Sequence, residues 1–102
     1  KVDYMSYNSE DYLIYTLLNV HKDNEKVEET TSSVENHLTY LFKIKRATNT
    51  LELVSATKHG DVFNVCLNIN NGQTLILANK YIFKVFTLNT TTMRYVETYR
   101  FI

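Results

Sequence analysis

Apolar and polar positions alternate with period two through most of the second half of this chain. Between Asp61 and Ile69, the side chains of Phe63, Val65, Leu67 and Ile69 fall on one side and those of Asn64, Cys66 and Asn68 on the other. That is the pattern of a strand with one buried face. Asn71-Gly72 follows, and both residues tolerate the positive φ that a tight type I′ hairpin demands. Leu75, Leu77, Ile82, Phe83, Val85 and Phe86 are apolar at both parities in places, as expected of a central strand covered on both sides. After a polar break at Asn89, Met93, Tyr95, Tyr99 and Phe101 share one face while Arg94, Val96 and Arg100 take the other. The regularity predicts antiparallel strands over 61–102, with Phe63, Val65, Tyr95 and Tyr99 in the core. The upstream chain is expected to pack on that sheet or pair with its edge.

Upstream, the spacing changes. Ser9 precedes Glu10 and Asp11, a hydroxyl able to cap free backbone amides followed by acids suited to the positive end of a helix dipole. Leu13, Ile14, Leu17, Leu18 and His21 then recur at helical intervals, and Lys22 suits the negative end. The spacing predicts a helix over 9–22. The acidic and hydroxyl-rich stretch 23–37 reads as a solvated connection. Period two resumes with Leu38, Tyr40, Phe42 and Ile44 as the buried set, a turn at Thr48-Asn49-Thr50, then Leu51 and Leu53 around Glu52. His59-Gly60-Asp61 is the next break. No internal repeat is visible. The expected fold is α+β, one N-terminal helix lying across an antiparallel sheet of four to five strands, as a single domain spanning 1–102.

Composition adds limits. A chain of 102 residues supplies one modest core without staples. The absence of proline and the presence of only two glycines argue against a linker or disordered tail. Net charge is zero, but residues 1–37 carry eight acids against three bases and residues 38–102 carry eight bases against three acids. The acidic part is expected to lie over the basic part and cancel its field. One cysteine excludes an internal disulfide. No stretch approaches the ~20 apolar residues of a membrane-spanning helix, and residues 1–20 do not have the pattern of a secretory leader. Asn89-Thr90-Thr91 is a glycosylation sequon.

The side chains that carry chemistry are scattered. His21, His37 and His59 have no metal-ligand spacing, and Cys66 would act as a nucleophile only with a histidine beside it in space, a lone strand thiol reading instead as a small, partly buried apolar group. Glu25, Glu28 and Glu29 cluster in a polar segment, whereas paired catalytic carboxyls need rigid facing elements. Gly60 and Gly72 stand in separate turns and form no phosphate cradle. Neither an enzyme, a metal nor a cofactor is therefore expected. Lys43, Lys45, Arg94 and Arg100 lie near tyrosines, the mixture used by single-strand binders. The arginines point opposite to Tyr95 and Tyr99 if the last strand is regular, which argues against nucleic acid.

In element order the chain resembles the cystatins, inhibitors of papain-like cysteine proteases. The resemblance spans about 9–101 and rests on an N-terminal helix, a long strand after it, a tight turn at His59-Gly60, and later strands at Val62–Ile69 and Tyr81–Leu88. Members of that family insert a glycine near the N-terminus, a Gln-x-Val-x-Gly hairpin and a Pro-Trp hairpin into the protease cleft. Here the first hairpin reads Ala56-Thr57-Lys58-His59-Gly60, matching only at the glycine, and Leu88-Asn89-Thr90 stands at the second. The resemblance implies a non-enzymatic binding or inhibitory module that contacts another protein through Lys58, His59, Gly60 and Asp61 and through Leu88, Asn89 and Thr90. The alternatives are an assembly subunit that pairs with itself or a partner through an exposed sheet edge, and a nucleic-acid module using the basic face.

Overall fold

The computed structural model describes residues 1–22 and 33–102, and every regular element among them is a strand. In chain order these are β1 (Val2–Tyr7), β2 (Glu10–Lys22), β3 (Ser33–Lys45), β4 (Thr50–Lys58), β5 (Val65–Ile69), β6 (Thr74–Ala78), β7 (Phe83–Asn89) and β8 (Arg94–Phe101). They form two four-stranded antiparallel sheets, β1-β2-β3-β4 and β5-β6-β7-β8, in which every strand lies beside its neighbour in sequence. The acids Glu25, Glu28 and Glu29, and most of the expected connection over 23–37, lie outside the described residues.

The expected α+β fold is overturned: the chain is all-β, and the segment expected to be a helix is β2. Leu13, Ile14, Leu17 and Leu18 fit both a helical stripe and a strand that is apolar on both faces. Tyr12, Ile14, Tyr15 and Thr16 supply the β-branched and aromatic bulk that favours the strand. Ser9 is no helix cap. With Asn8 it forms a two-residue hairpin loop between paired Tyr7 and Glu10, both at positive φ (+53° and +64°), as a primed turn requires. Asn71 and Gly72 do the same at +54° and +80°, closed by the Gln73 amide donating to the Asn70 carbonyl at 3.1 Å. A further break divides the run expected as one strand. Asn79 accepts from the amides of Tyr81 and Ile82 through Oδ1 and separates β6 from β7.

The core lies between the two sheets. Met5, Tyr12, Ile14 and Leu41 of the first sheet meet Leu75, Leu77, Phe86, Leu88 and Tyr95 of the second, with Phe63 closing one side. Several expected faces are inverted. In β5 the side chains of Val65, Leu67 and Ile69 are exposed, while Cys66 packs against the core. In β3 the fully buried residues are Thr39 and Leu41 rather than Tyr40, Phe42 and Ile44. In β8 an irregularity opposite Val85/Phe86 leaves Thr98 without a partner and switches the parity. Tyr95 therefore faces inward, whereas Tyr99 and Phe101 face outward. An equivalent irregularity opposite Leu41/Phe42 leaves Val54 as the extra residue of β4.

The sheets stack in matching strand order. Asn68 of β5 donates to the Asp3 carboxylate of β1 at 3.0 Å, and Asn71 to the Ser6 carbonyl at 2.7 Å. At the other side Arg94 of β8 donates to the Ala56 carbonyl of β4 at 3.1 Å. So β5 lies by β1 and β8 by β4: one four-strand unit occurs twice, although no sequence repeat announces it. Gly72 sits at the closest approach, buried, with the Tyr95 hydroxyl donating to its carbonyl at 2.6 Å. A methyl group there would stand 2.7 Å from Ile14 Cδ1 and 2.9 Å from Met5 Cβ. Gly72→Ala combines left-handed backbone strain with overpacking, and we expect a loss of about 2–4 kcal/mol in chemical denaturation. A loss below about 0.5 kcal/mol would show that the turn is not wedged between the sheets.

Candidate functional site

The two expected contact groups prove to be different kinds of structure. Lys58-His59-Gly60-Asp61 is the link that carries the chain from the first sheet to the second, not a hairpin between paired strands. Lys58, Gly60 and Asp61 are exposed, but His59 is only 1% exposed. Leu88 is buried in the core, while Asn89 and Thr90 sit in the exposed β7–β8 turn. Asn89 Oδ1 accepts from the amides of Thr91 and Thr92, so the side chain of the sequon is engaged in shaping its own turn. The structure does not bring the groups together. The link is tied to Lys84 near the start of β7, and Asn89 ends that strand five residues on, about 17 Å away at strand rise.

His59 instead belongs to a buried polar seam between the sheets. Its Nε2 shares a hydrogen bond with Thr39 Oγ1, which in turn bonds Thr16 Oγ1 at 2.8 Å. Its ring meets Phe86 edge-on at 4.5 Å. Its carbonyl accepts from Lys84 Nζ at 2.9 Å. That lysine is 6% exposed, lies 3.6 Å from a Glu97 carboxylate oxygen and sits over the Phe63 ring at 6.0 Å. His37 completes the clasp: its amide donates to the Asp61 carbonyl, its carbonyl accepts from the His59 amide, and its Nδ1 accepts from the Phe63 amide. These bonds fasten the link to both sheets. Burial first, then the neighbouring His37 and Lys84, holds the His59 imidazole down at about 4.

The remaining candidates for chemistry are apart from one another. Cys66 faces the core, and burial pushes its thiol up, away from the thiolate a nucleophile requires. No group of three histidine, cysteine or acidic side chains gathers around a metal position among the described residues. Nor does any helix among them have the length and apolarity to cross a membrane. The four cationic side chains considered for nucleic acid do not form an open patch. Lys43 pairs with Glu10 and Lys45 with Glu52, Arg100 pairs with Glu97, and Arg94 is bound to the Ala56 carbonyl. Arg46 pairs with Asp11 at 2.9 Å, so Glu10 and Asp11 of β2 neutralise Lys43 of β3 and Arg46 just beyond it.

The feature that the sequence pattern missed is the outward face of the second sheet. Register places Val65, Ala78, Phe83 and Phe101 in one row across it, and Leu67, Ile76, Val85 and Tyr99 in the next. Ile69, Thr74, Thr87 and Val96 make the third. No position in the three rows is charged. Val65, Leu67, Ile69, Phe83, Val96, Tyr99 and Phe101 are each 38–63% exposed, and the rings at the β8 end pack on one another, Phe83 on Phe101 at 5.8 Å and Tyr99 on Phe101 at 6.2 Å. An antiparallel sheet with one face in water normally turns polar side chains outward. The first sheet departs from that rule too, with Val2, Tyr15, Tyr40 and Ala56 in one outward row and Tyr4, Leu13, Phe42 and Leu53 in the next.

No protein-family model matches this chain, nor does any curated protein or solved structure. The helix on which the cystatin-like element order rested is β2.

The seam makes stability depend on acid. Unfolded His59 takes up its proton near the ordinary imidazole value of 6.5 and folded His59 only at about 4. Its contribution is therefore complete above pH 6.5 and is lost as pH falls toward 4, on the order of 3 kcal/mol across that window. The depressed His37 acts in the same direction. We expect the stability of the native chain to fall between pH 7 and pH 4, and the His59→Gln variant to show a flatter profile in urea titrations. Parallel profiles for the two proteins would remove His59 from the account.

Proposed function

We propose that this chain is a non-enzymatic protein-binding module that recognises its partner with the outward face of the β5–β8 sheet. One observation carries the reading: three rows of residues without a charge, seven of them large apolar side chains more than a third exposed. A soluble monomer rarely leaves a contiguous apolar patch beyond a few hundred Å², and a larger one marks an interaction surface. Seven such side chains leave on the order of 500 Å² open, toward the ~800 Å² per partner of a standard interface. Aromatic side chains, enriched at interface hot spots, occupy the β8 end of the face as Phe83, Tyr99 and Phe101.

The exposed parts of the two turn groups, Lys58, Gly60 and Asp61 on the link and Asn89 and Thr90 on the β7–β8 turn, flank the recognition surface rather than make it. Recognition through a flat sheet face also accounts for the scatter of titratable groups: it needs area and shape, not convergent chemistry.

A solvatochromic apolar dye tests this reading. Dilute folded protein should enhance the emission of anilinonaphthalene sulfonate, and Leu67→Glu or Tyr99→Glu should reduce that signal at least about threefold, while Asn89→Asp leaves it unchanged. Circular dichroism and a cooperative urea transition establish that each variant is folded. Equal dye binding by all the variants would place the accessible apolar surface elsewhere and overturn the reading.

A further inference from the structure

We infer that the partner of this face is a second copy of the same chain, stacked head to tail, with the outward face of β5–β8 in one copy covered by the outward face of β1–β4 in the next. The inference rests on the reading of the outward face as an interaction surface and adds who occupies it and in what order.

The interface inside the molecule shows the arrangement. The β5–β8 sheet lies on the β1–β4 sheet with strands in the same sequence, β5 by β1 and β8 by β4. The step from one sheet to the next can therefore be repeated. Taken once more, it sets β1 of a second copy by β5 of the first, and β4 of the second by β8 of the first. The two outward faces suit that contact. Each presents at least two successive uncharged rows: Val2–Tyr15–Tyr40–Ala56 and Tyr4–Leu13–Phe42–Leu53 on one, Val65–Ala78–Phe83–Phe101 and Leu67–Ile76–Val85–Tyr99 on the other. Val2, Tyr4, Tyr15, Leu51 and Leu53 are exposed on the first sheet as the seven apolar residues are on the second.

Charge bounds the apolar rows of the first sheet's outward face, with the Asp11–Arg46 pair at one end and exposed Lys58 at the other. The uncharged rows thus form a band two rows deep, which fits within the three uncharged rows of the opposing face. Shape agrees. The radius of gyration is 15.3 Å, with a shortest dimension of 22 Å, against about 13 Å expected for a compact globule of 100 residues. The protein is a two-layer slab whose broad sides are both apolar.

Because the two faces differ, the contact is heterologous. A heterologous contact propagates and either closes into a ring or grows as a filament, whereas self-complementary pairing of one face stops at a dimer. That difference provides the test. In sedimentation velocity from about 1 to about 100 µM, the native chain should grow beyond a dimer. Leu67→Glu removes the β5–β8 face and Leu53→Glu the β1–β4 face, each at an exposed position. Each variant alone should be monomeric, with its dissociation constant raised at least about tenfold. An equimolar mixture should form a one-to-one heterodimer and nothing larger, since Leu53→Glu keeps the face that Leu67→Glu needs.

Several outcomes overturn the inference, and they differ from failure of the underlying reading. A native chain that stays monomeric at the highest concentration while still binding the dye leaves the interaction surface standing and excludes a second copy as its occupant. A Leu53→Glu variant that still forms a homodimer reveals self-pairing of the β5–β8 face. Association that survives both substitutions but is lost on placing proline in β4 or β5 assigns it to sheet edges. A native chain that neither binds the dye nor associates fails both proposals together.

Discussion

The two sheets of this protein come together over a turn whose glycine is buried. Asn71-Gly72 is a primed hairpin turn chosen by local chemistry, since only residues tolerant of positive φ can make it. Its position turns a local feature into a global one. Gly72 leaves no room between β6, Ile14 and Met5 for even a methyl group, and its carbonyl is held by Tyr95 from the far strand of the sheet. The core residues on both sides, Ile14, Leu41, Leu75 and Leu77, are fully buried only because the sheets can approach at this point. A close-packed interior transmits a misfit at such a point to its neighbours.

Around that contact the fold solves a routing problem with polar atoms. The chain must leave the first sheet at Lys58 and enter the second at Val65, crossing from layer to layer, and its backbone groups need partners on the way. His37, His59, Asp61, Phe63 and Lys84 provide them. A buried lysine donating to a main-chain carbonyl, with an acid nearby, is tolerable because each group has a partner. The seam thereby fixes the direction of the stack, and this direction gives β1–β4 and β5–β8 the same strand order.

Much of the strand pattern was legible, and the reasons for the errors are specific. The turns at Asn49, Asn71-Gly72 and Asn89 stood out because asparagine and glycine relieve positive φ or cap free amides. β2 was misread because Leu13, Ile14, Leu17 and Leu18 satisfy period 3.6 and period two together, and Ser9 resembles a cap. The inverted faces have another cause. Alternation reveals two sides of a strand but not which is inside, and hydrophobicity decides only when one side is polar. In β5 the choice lay between Val65, Leu67 and Ile69 and the small polar set of Cys66 and Asn68, and the inner face took the small set. The unpaired residues Val54 and Thr98 shift parity in β4 and β8, and nothing local marks them. Lys58 and Asp61 looked like a contact loop because the bonds that bury His59 between them come from residues twenty or more positions away in sequence.

Lys84 has a chemical consequence of its own. Its amine is sealed at the junction of the two layers, bonded to the His59 carbonyl and roofed by Phe63, whereas Lys45 and Lys58 stand in solvent. Acylating reagents modify only a free, accessible amine, so in the folded protein this nitrogen is protected by its burial. Its rate of modification is then a clock for the opening of the junction where the link is tied to β7.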